Sequence, residues 1–241
     1  MHASHARVTL FQVGRLPVPV TDDSDDSDAP DARDDPVTRG GGRLDADVRR
    51  AAAAAADGDL VVYPTETVYG LGGDALDPDA VERVFELKGR DRKDPLSLGV
   101  ASVDAALRYT RPTEFAVAFA RAFLPGPVTV VVERGDAVPD ALTAGRDRVG
   151  IRVPDHPVAR ALLDSAGPLT ATSANVSGTG SVTHPADLDD RIREGVAAVV
   201  DDGETPGTES TVVDPDAGTV HRRGAMAGAI EAWLDDPPVE E

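Results

Sequence analysis

Short apolar runs rich in valine alternate along this chain with segments of helical periodicity, and this alternation limits the folds open to it. Runs such as Val128–Glu133 and Thr211–Asp214 have the length and β-branched composition of buried strands. Several of the helical segments begin at proline and end at glycine. Strands that alternate with helices predict an α/β or α+β domain, in which helices pack on a sheet. The pattern does not predict the order of the strands.

The predicted elements begin near residue 45 and end near residue 234. The predicted helices are Asp45 or Asp47 to Asp57, Asp77–Pro78 to Leu87 before Gly89, Pro112–Phe123, Pro157–Ala166, a helix opened by Pro185, and Ala227–Leu234. The predicted strands are Leu60–Tyr63, Leu96–Val100, Val128–Glu133, Val149–Val153, Leu169–Ala171, Ala197–Asp201, Thr211–Asp214 and Thr219–His221.

The N-terminal part of the chain has a different composition. Residues 21–42 are dominated by acidic, polar and glycine residues, so they offer little that a core can bury. We therefore predict a disordered acidic tail over residues 1–43, a domain over residues 44–235 and a C-terminal tail over residues 236–241. A modest apolar patch in residues 8–20 is compatible with a short interaction segment, and equally with translation that starts further along the chain.

The composition excludes several classes of protein and site. The chain has no cysteine, so disulfides, thiolate metal sites and a cysteine nucleophile are excluded. Its five histidines show no metal-ligand spacing, so we assign no metal site to the protein. No apolar run approaches the roughly 20 residues of a membrane helix, and no secretory signal is evident, so we expect a cytoplasmic protein without membrane contact. The formal net charge of −19 disfavours a general nucleic-acid-binding surface, because phosphate binding needs a basic one.

The segment after the first predicted strand carries alternating hydroxyl groups. The P-loop, the dinucleotide-binding G-x-G-x-x-G and the hydrolase G-x-S-x-G motifs are missing from the chain. Thr65, Thr67 and Tyr69 instead occur at every second position before Gly70. On an extended strand these three side chains face one side and predict a polar wall. An edge strand with a glycine turn explains the pattern equally well.

A basic run follows the second predicted helix. It places Lys88, Arg90, Arg92 and Lys93 within six residues. The run contains both lysines of the chain. The chain has 24 basic residues in all, so the other 22 are arginine. So concentrated a run in an acidic chain favours an anion site, such as one for a triphosphate. The competing explanation is that basic side chains suit the negative C-terminal end of a helix.

Later motifs add polar side chains within or beside strands. Arg152 stands inside an apolar strand, where a charge must be paired or serve a ligand. Arginine can hold a carboxylate through two hydrogen bonds, although a structural ion pair is the alternative. Ser173 and Asn175 follow a short strand, and Ser210 and Arg222 lie at the ends of two later strands. Each of these is weak evidence alone, since small polar residues also make ordinary loops.

Six motifs occur in order along the chain. They are PTETVYGLG (64–72), K-G-R followed by P-L (88–96), PGPVT (125–129), V-x-I-R-x-P-x-H-P (149–157), SANVSG (173–178) and ESTVVD (209–214). Together they resemble the YrdC/Sua5 family, the threonylcarbamoyl-AMP synthases, from about Leu44 to Leu234. The resemblance implies a YrdC-like twisted mixed β-sheet flanked by helices around a deep, positively lined cavity. We expect the short, single-domain form of the family.

The resemblance also implies an activity, that of an L-threonylcarbamoyladenylate synthase, which is a nucleotidyltransferase. In that reaction bicarbonate carboxylates the amine of L-threonine, and the carbamate attacks the α-phosphate of ATP to release pyrophosphate. A tRNA threonylcarbamoyl transferase complex then uses the product to modify adenosine 37 of tRNAs. We expect Mg²⁺ to accompany the ATP, and a weak direct contact with tRNA stays open.

The same resemblance assigns roles to individual residues. Lys88 and Arg90 would bind the phosphates and, as the catalytic residues, neutralise the charge that develops in the reaction. The residues that would bind ATP are Lys88, Arg90, Asp94, Ser173, Asn175, Ser181 and Arg222. The residues that would bind threonine are Thr67, Arg152 and Ser210, with Arg152 pairing with its carboxylate.

Four positions depart from the family pattern. Asp94 stands where asparagine is frequent, and Gly99 where some members have a threonine-contacting histidine. Arg148 replaces a threonine, and Arg223 replaces the proline of a common R-P-G ending. These departures weaken the roles assigned to individual residues more than they weaken the assignment to the family. They also leave room for a branch of the family with a different activity.

Other functions remain compatible with the sequence. An RNA-binding module is one, since the fold would offer a concave basic face, and a non-catalytic paralogue is another. A carbamoyl-adenylate domain like that of hydrogenase maturation factors is a third, although those carry zinc-binding cysteines and this chain has none. The acidic, lysine-poor composition further predicts a halophilic protein of the haloarchaeal kind. An ordinary acidic protein from a GC-rich genome is the alternative.

Overall fold

The computed structural model describes residues 36–238, with side chains from residue 42 onward. Its helices are α1 (Pro36–Ala56), α2 (Pro78–Lys88), α3 (Val103–Ala106), α4 (Glu114–Phe123), α5 (Asp140–Thr143), α6 (Pro157–Ala166), α7 (Asp190–Glu194) and α8 (Ala227–Asp235), with a 3-10 turn at Pro185–Asp187. Its strands are β1 (Val61–Tyr63), β2 (Gly70–Gly72), β3 (Ser97–Gly99), β4 (Val128–Glu133), β5 (Arg148–Arg152), β6 (Leu169–Ser173), β7 (Ala198–Val199), β8 (Thr211–Asp214) and β9 (Thr219–Arg222). None of these helices is long and apolar enough to cross a membrane. The rest of both predicted tails, residues 1–35 and 239–241, lies outside the described residues.

Within residues 36–238 the nine strands form one sheet, in the order β7-β1-β2-β6-β3-β5-β4-β8-β9. Three neighbouring pairs are parallel, β1 with β7, β3 with β5 and β4 with β8, and the other pairs are antiparallel. The sheet is therefore mixed and flanked by helices, which confirms the predicted fold class. Because β6 lies between β2 and β3, and β8 lies beside β4, motifs far apart in the sequence meet on adjacent strands.

The first helix begins earlier than the sequence predicts. α1 starts at Pro36, so residues 36–43, which we assigned to the disordered tail, are helical. A proline suits this position, because its fixed φ fits the first turn and it has no N–H to leave unpaired. Asp47 lies within the helix rather than at its cap, and its carboxylate is 3.1 Å from Arg50 and 4.0 Å from Arg43. It serves ion pairs along the helix surface.

The helix predicted between Asp77 and Gly89 is confirmed by α2. The side chain of Asp77 accepts a hydrogen bond from the N–H of Asp79 at 3.0 Å, and Pro78 takes the first helical position. Gly89 ends the helix with a φ of 60°, a left-handed conformation that glycine adopts without strain. This turn redirects the chain between Lys88 and Arg90.

Three other elements differ from the prediction. β2 is built from Gly70–Gly72 and is not predicted, because glycine is depleted in strands. The helix predicted from Pro185 is a single 3-10 turn. The helix predicted from Pro112 begins instead at Glu114, where the hydroxyl of Thr113 caps it.

Apolar side chains fill the space between sheet and helices in two buried groups. One group joins α1 and α6 to β1, and it includes Ala51, Ala55, Val61, Tyr63, Val158 and Leu162. The larger group includes Phe85, Leu98, Phe119, Val130, Ile151 and Ile230. An aromatic cluster joins α4 to α8 within it. There the ring of Trp233 lies 5.1 Å from that of Phe119 and 5.3 Å from that of Phe115.

Phe119→Ala is expected to lower the free energy of unfolding by about 3 to 5 kcal/mol, because it leaves a cavity beside Trp233 in a fully buried place. Phe115→Ala is the matched control: Phe115 touches the same tryptophan but is 38% exposed, so its loss should be smaller. Urea unfolding followed by the fluorescence of Trp233, the single tryptophan of the chain, measures both. Equal losses would contradict this account of the core.

Candidate functional site

A cavity of about 610 Å³ is lined by residues from strands β1 to β6, β8 and β9 and from the loops between them. Its charged lining residues are Arg90, Asp94, Arg146, Arg148, Arg152, Glu209 and Arg222. Five arginines and two acidic residues thus line a single space. Such a concentration of arginine is typical of a site for anions.

One strand, β5, forms the floor of the cavity. Arg148, Gly150 and Arg152 are at every second position of β5, so they share the face that lines the cavity. The rise of a strand separates the Cα atoms of the two arginines by about 13 Å. A Cβ atom at position 150 would lie 2.8 Å from the Cγ2 of Thr129 and 2.9 Å from the Oγ of Ser97. Glycine therefore leaves room for the side chains of Thr129 and Ser97 between the two arginines.

Arg152, at the end of β5, is held by several acceptors at once. Its Nη2 donates to the carboxylate of Glu66 at 2.6 Å and to the hydroxyl of Thr67 at 3.4 Å. Its Nη1 donates to the carbonyls of Gly126 and, at 3.2 Å, of Val128. Burial lowers the pKa of Arg152, and Glu66 opposes that shift. Both terminal nitrogens are thus engaged, so an incoming carboxylate would share the guanidinium with Glu66.

The polar wall predicted for Thr65, Thr67 and Tyr69 is not formed, because this segment is a loop between β1 and β2. The Oγ1 of Thr65 organises the loop by accepting from the N–H groups of Thr67 and Val68, each at 3.2 Å. Thr65 and Thr67 line the cavity. The hydroxyl of Tyr69 instead donates to the carbonyl of Gly203 at 2.6 Å. Local hydrogen bonds thus override the alternation.

Arg222, at the end of β9, and Ser210, just before β8, meet at another side of the cavity. The guanidinium of Arg222 donates to the hydroxyl of Ser210 at 2.7 Å and to its carbonyl at 3.0 Å. The Ser210 hydroxyl in turn lies 3.4 Å from that of Thr129. A Cβ atom at Gly224 would overlap the backbone of Ser210, so only glycine allows this close approach. Two motifs that are weak evidence in the sequence therefore form one structural unit.

Arg90 lies just after the Gly89 turn and is fixed by its own loop. Its Nε donates to the carbonyl of Asp94 at 2.9 Å, and its Nη2 to that of Pro95 at 3.1 Å. Burial lowers the pKa of Arg90, Asp94 acts in the opposite direction, and Arg222 lowers the pKa further. Arg222 also lowers the pKa of Arg152. The guanidinium of Arg222 therefore acts on both of the other two guanidinium groups.

Lys88 is placed differently from the expectation that it holds phosphates. It is 1% exposed and is not among the residues that line the cavity. Its ammonium donates to the carbonyls of Ser173 and, at 2.6 Å, of Asn175. Burial, with a smaller effect of Arg90, lowers its pKa to about 8. Because α2 ends at Gly89, Lys88 points behind the cavity wall while Arg90 lines the cavity.

The SAN motif forms the wall that Lys88 supports. Ser173 and Ser181 line the cavity, whereas Asn175 does not. The hydroxyl of Ser173 donates to the side-chain oxygen of Asn175. The amide nitrogen of Asn175 donates to the carbonyls of Val176 at 2.9 Å and Thr179 at 2.8 Å. Asn175 thus stabilises the turn that presents the two serines.

Most residues assigned from the sequence meet in this cavity. Those that line it are Thr67, Arg90, Asp94, Arg152, Ser173, Ser181, Ser210 and Arg222. Those that support it from behind are Lys88 and Asn175. Sequence reasoning assigned no role to the lining residues Tyr63, Thr129, Gly150 and His221. A glycine inside an apolar strand is a signal of close approach that could have found Gly150.

The departures from the family pattern have visible consequences. Arg148 forms an ion pair with Asp214 and donates to the carbonyl of Val131 at 3.1 Å. Gly99 lines the cavity, and a Cβ atom there would lie 3.3 Å from the Cβ of Ala171. The guanidinium of Arg223 pairs with Glu231 and does not line the cavity.

Comparison with known proteins identifies the family of this chain. A family model named Sua5/YciO/YrdC and described as "Telomere recombination" matches residues 53–224. The chain belongs to the Sua5/YciO/YrdC family. The matched residues include all six motifs.

Relatives in the family carry the name threonylcarbamoyl-AMP synthase. That of Pyrococcus abyssi is 42% identical over 171 residues, and that of Bacillus subtilis is 42% identical over 177 residues. The matches cover 69% and 70% of this chain and 50% of each relative, so the chain spans about half the length of these curated relatives. That of Vibrio parahaemolyticus is 31% identical over 173 residues, which are 69% of this chain and 93% of the relative.

Solved structures of family members share the fold. The crystal structure of P. abyssi Sua5 complexed with L-threonine matches with a TM-score of 0.71 and 38% identity, covering 75% of this chain and 54% of that one. Escherichia coli YciO matches with a TM-score of 0.69 and 26% identity, covering 75% of this chain and 90% of that one.

Lys88→Met tests the buried ammonium through its pH dependence. The unfolded chain keeps the Lys88 proton up to about pH 10.5, whereas the folded chain releases it above about pH 8. The stability of the unaltered chain relative to Lys88→Met should therefore rise between these two pH values, by about 3 kcal/mol. Urea titrations of both proteins at several pH values measure the difference. A difference that does not change with pH would contradict the burial of this charge.

Proposed function

We propose that this chain is an L-threonylcarbamoyladenylate synthase, a nucleotidyltransferase that joins L-threonine, bicarbonate and ATP. The observation that carries the proposal is the convergence of Arg90, Arg152 and Arg222, from three separate motifs, on one cavity. Relatives named threonylcarbamoyl-AMP synthase support it, as does the related structure complexed with L-threonine.

The reaction needs positioning and charge stabilisation rather than a covalent nucleophile. The amine of threonine attacks the carbon of bicarbonate, and loss of water leaves a carbamate. An oxygen of the carbamate then attacks the α-phosphorus of ATP, and the bond to pyrophosphate breaks. Holding the two substrates in line and neutralising the charge that develops on the phosphate oxygens would supply the acceleration.

The threonine site would lie at the Arg152 end of the cavity. Arg152 would bind the carboxylate, with Thr67 beside it and Ser210 across the adjoining strands. Because Glu66 already holds one edge of the guanidinium, Arg152 has a fixed orientation before the substrate arrives. A bound carboxylate would therefore meet a preorganised donor.

The phosphates of ATP would lie between Arg90 and Arg222, with Ser173 and Ser181 as further contacts. Both arginines are already fixed by carbonyl or hydroxyl acceptors, so little reorganisation is needed when charge develops. Lys88 and Asn175 would act on the nucleotide indirectly, by holding the wall that presents Ser173.

Magnesium fits this site as a part of the substrate. Residues 36–238 contain no group of three or more histidine, cysteine, aspartate or glutamate side chains that could hold a metal ion. Mg²⁺ in nucleotide sites is bound mainly by phosphate oxygens and water, with one or two carboxylates. Asp94 and Glu209 are the carboxylates in the cavity lining and suit that role. We therefore propose that Mg²⁺ enters with the ATP.

The product would be used in the modification of tRNA. A mixed anhydride of a carbamate and AMP is a reactive donor, so the chain would pass it to a tRNA threonylcarbamoyl transferase complex that modifies adenosine 37. We place this activity in the cytoplasm. A weak direct contact with tRNA stays a prediction.

A direct assay tests the activity. The chain is incubated with ATP, MgCl₂, bicarbonate and L-threonine at high KCl, and pyrophosphate and the adenylate are measured. Pyrophosphate release should depend on both threonine and bicarbonate. Release that is absent, or that continues without threonine, would overturn the proposal; ATP binding without any turnover would instead indicate a non-catalytic relative.

Arg152→Lys should raise the KM for threonine at least tenfold while ATP affinity changes far less, because a lysine cannot make the paired hydrogen bonds of a guanidinium. The control is Arg121→Lys, in which an exposed arginine paired with Asp104 outside the cavity is changed in the same way. Thermal melts of both variants check the fold. Equal losses for threonine and ATP would refute the assigned role of Arg152.

A further inference from the structure

The last strand of the sheet is irregular where it borders the cavity. Val212 of β8 pairs with Arg222 of β9, but Val213 pairs with Val220, so His221 is an extra residue in β9. Such a β-bulge interrupts the alternation of side chains, and it can aim two successive residues to the same side. Both His221 and Arg222 line the cavity, as Val212 does.

The bulge therefore brings into the cavity a side chain that regular pairing would send to the opposite face. His221 is exposed, and its imidazole makes no hydrogen bond to any residue in the range 36–238. It contributes nothing visible to the packing of the strand, while the bulge breaks the ladder between β8 and β9. An exposed ring of a cavity-lining residue that makes no such hydrogen bond is free to contact a ligand.

The cavity also offers flat and apolar surfaces that its anion-binding groups do not explain. Val131 and Val212 line it from adjacent strands. The guanidinium of Arg148 is held in one orientation by its ion pair with Asp214 and its hydrogen bond to the Val131 carbonyl. Flat rings and guanidinium planes beside apolar side chains are the surfaces on which nucleobases stack.

We propose that the imidazole of His221 stacks on the purine base of the bound nucleotide and so forms part of a base subsite. The inference rests on the proposed function, since it assumes that the nucleotide is bound in this cavity. Arg222, the neighbouring residue, serves the phosphates, so the bulge would place one phosphate contact and one base contact on a single strand end.

Binding measurements separate the base from the phosphates. His221→Ala, titrated by calorimetry with ATP and with inorganic tripolyphosphate, should bind ATP about tenfold more weakly and tripolyphosphate unchanged. His221→Phe keeps an aromatic face and should recover most of the affinity for ATP. Arg222→Gln should weaken both ligands. Thr219→Ala is the matched control, because Thr219 is an exposed residue of the same strand that does not line the cavity, and it should change neither.

The possible results have distinct meanings. Unchanged ATP binding by His221→Ala, while the unaltered chain binds ATP, overturns the inference and leaves the proposed function standing. An equal loss of tripolyphosphate binding makes His221 a phosphate contact, and it too overturns the base subsite. A phenylalanine variant no better than the alanine variant excludes stacking. If the unaltered chain binds no ATP, both the inference and the proposed function fail.

Discussion

The burial of one guanidinium group, that of Arg152, is the constraint on which the rest of the site depends. A charge that is 7% exposed must be compensated, because leaving it without partners would cost more than most single interactions contribute. Its acceptors come from the loop between β1 and β2, through Glu66 and Thr67, and from the segment leading into β4, through Gly126 and Val128. The hydrogen bonds of Arg152 therefore join two separate stretches of the chain around one end of the cavity.

The sequence predicts well those features whose cause is local. The cap at Asp77 and the stop at Gly89 depend on neighbouring residues alone, and α2 has the predicted bounds within one or two residues. The need of Arg152 for a partner or ligand is equally local, because an arginine inside an apolar strand requires one. What the sequence does not show is which partner, since Glu66 is 86 residues away along the chain.

Features decided by long-range packing are where the prediction fails. The alternation of Thr65, Thr67 and Tyr69 is that of a strand, but the segment is a loop in which the hydroxyl of Tyr69 donates to the carbonyl of Gly203, 134 residues further along the chain. The basic run gives no sign that Lys88 is buried, because the carbonyls that receive its ammonium belong to β6 and the turn after it. The bulge at His221 depends on the pairing of β8 with β9, which no local pattern encodes.

Arginine and Lys88 occupy different places in the candidate site: the arginines line the cavity, and Lys88 is buried behind its wall. Arginine keeps its charge even where burial lowers its pKa, so it suits the cavity, while the ammonium of Lys88 is enclosed behind it. The enclosure has a practical consequence for chemical labelling. Lys93 is exposed beside the cavity residue Asp94, and the only other lysine of the chain is buried. Apart from the α-amino group, an amine-reactive dye or crosslinker would therefore find a single lysine to modify, and it would report from the edge of the candidate site.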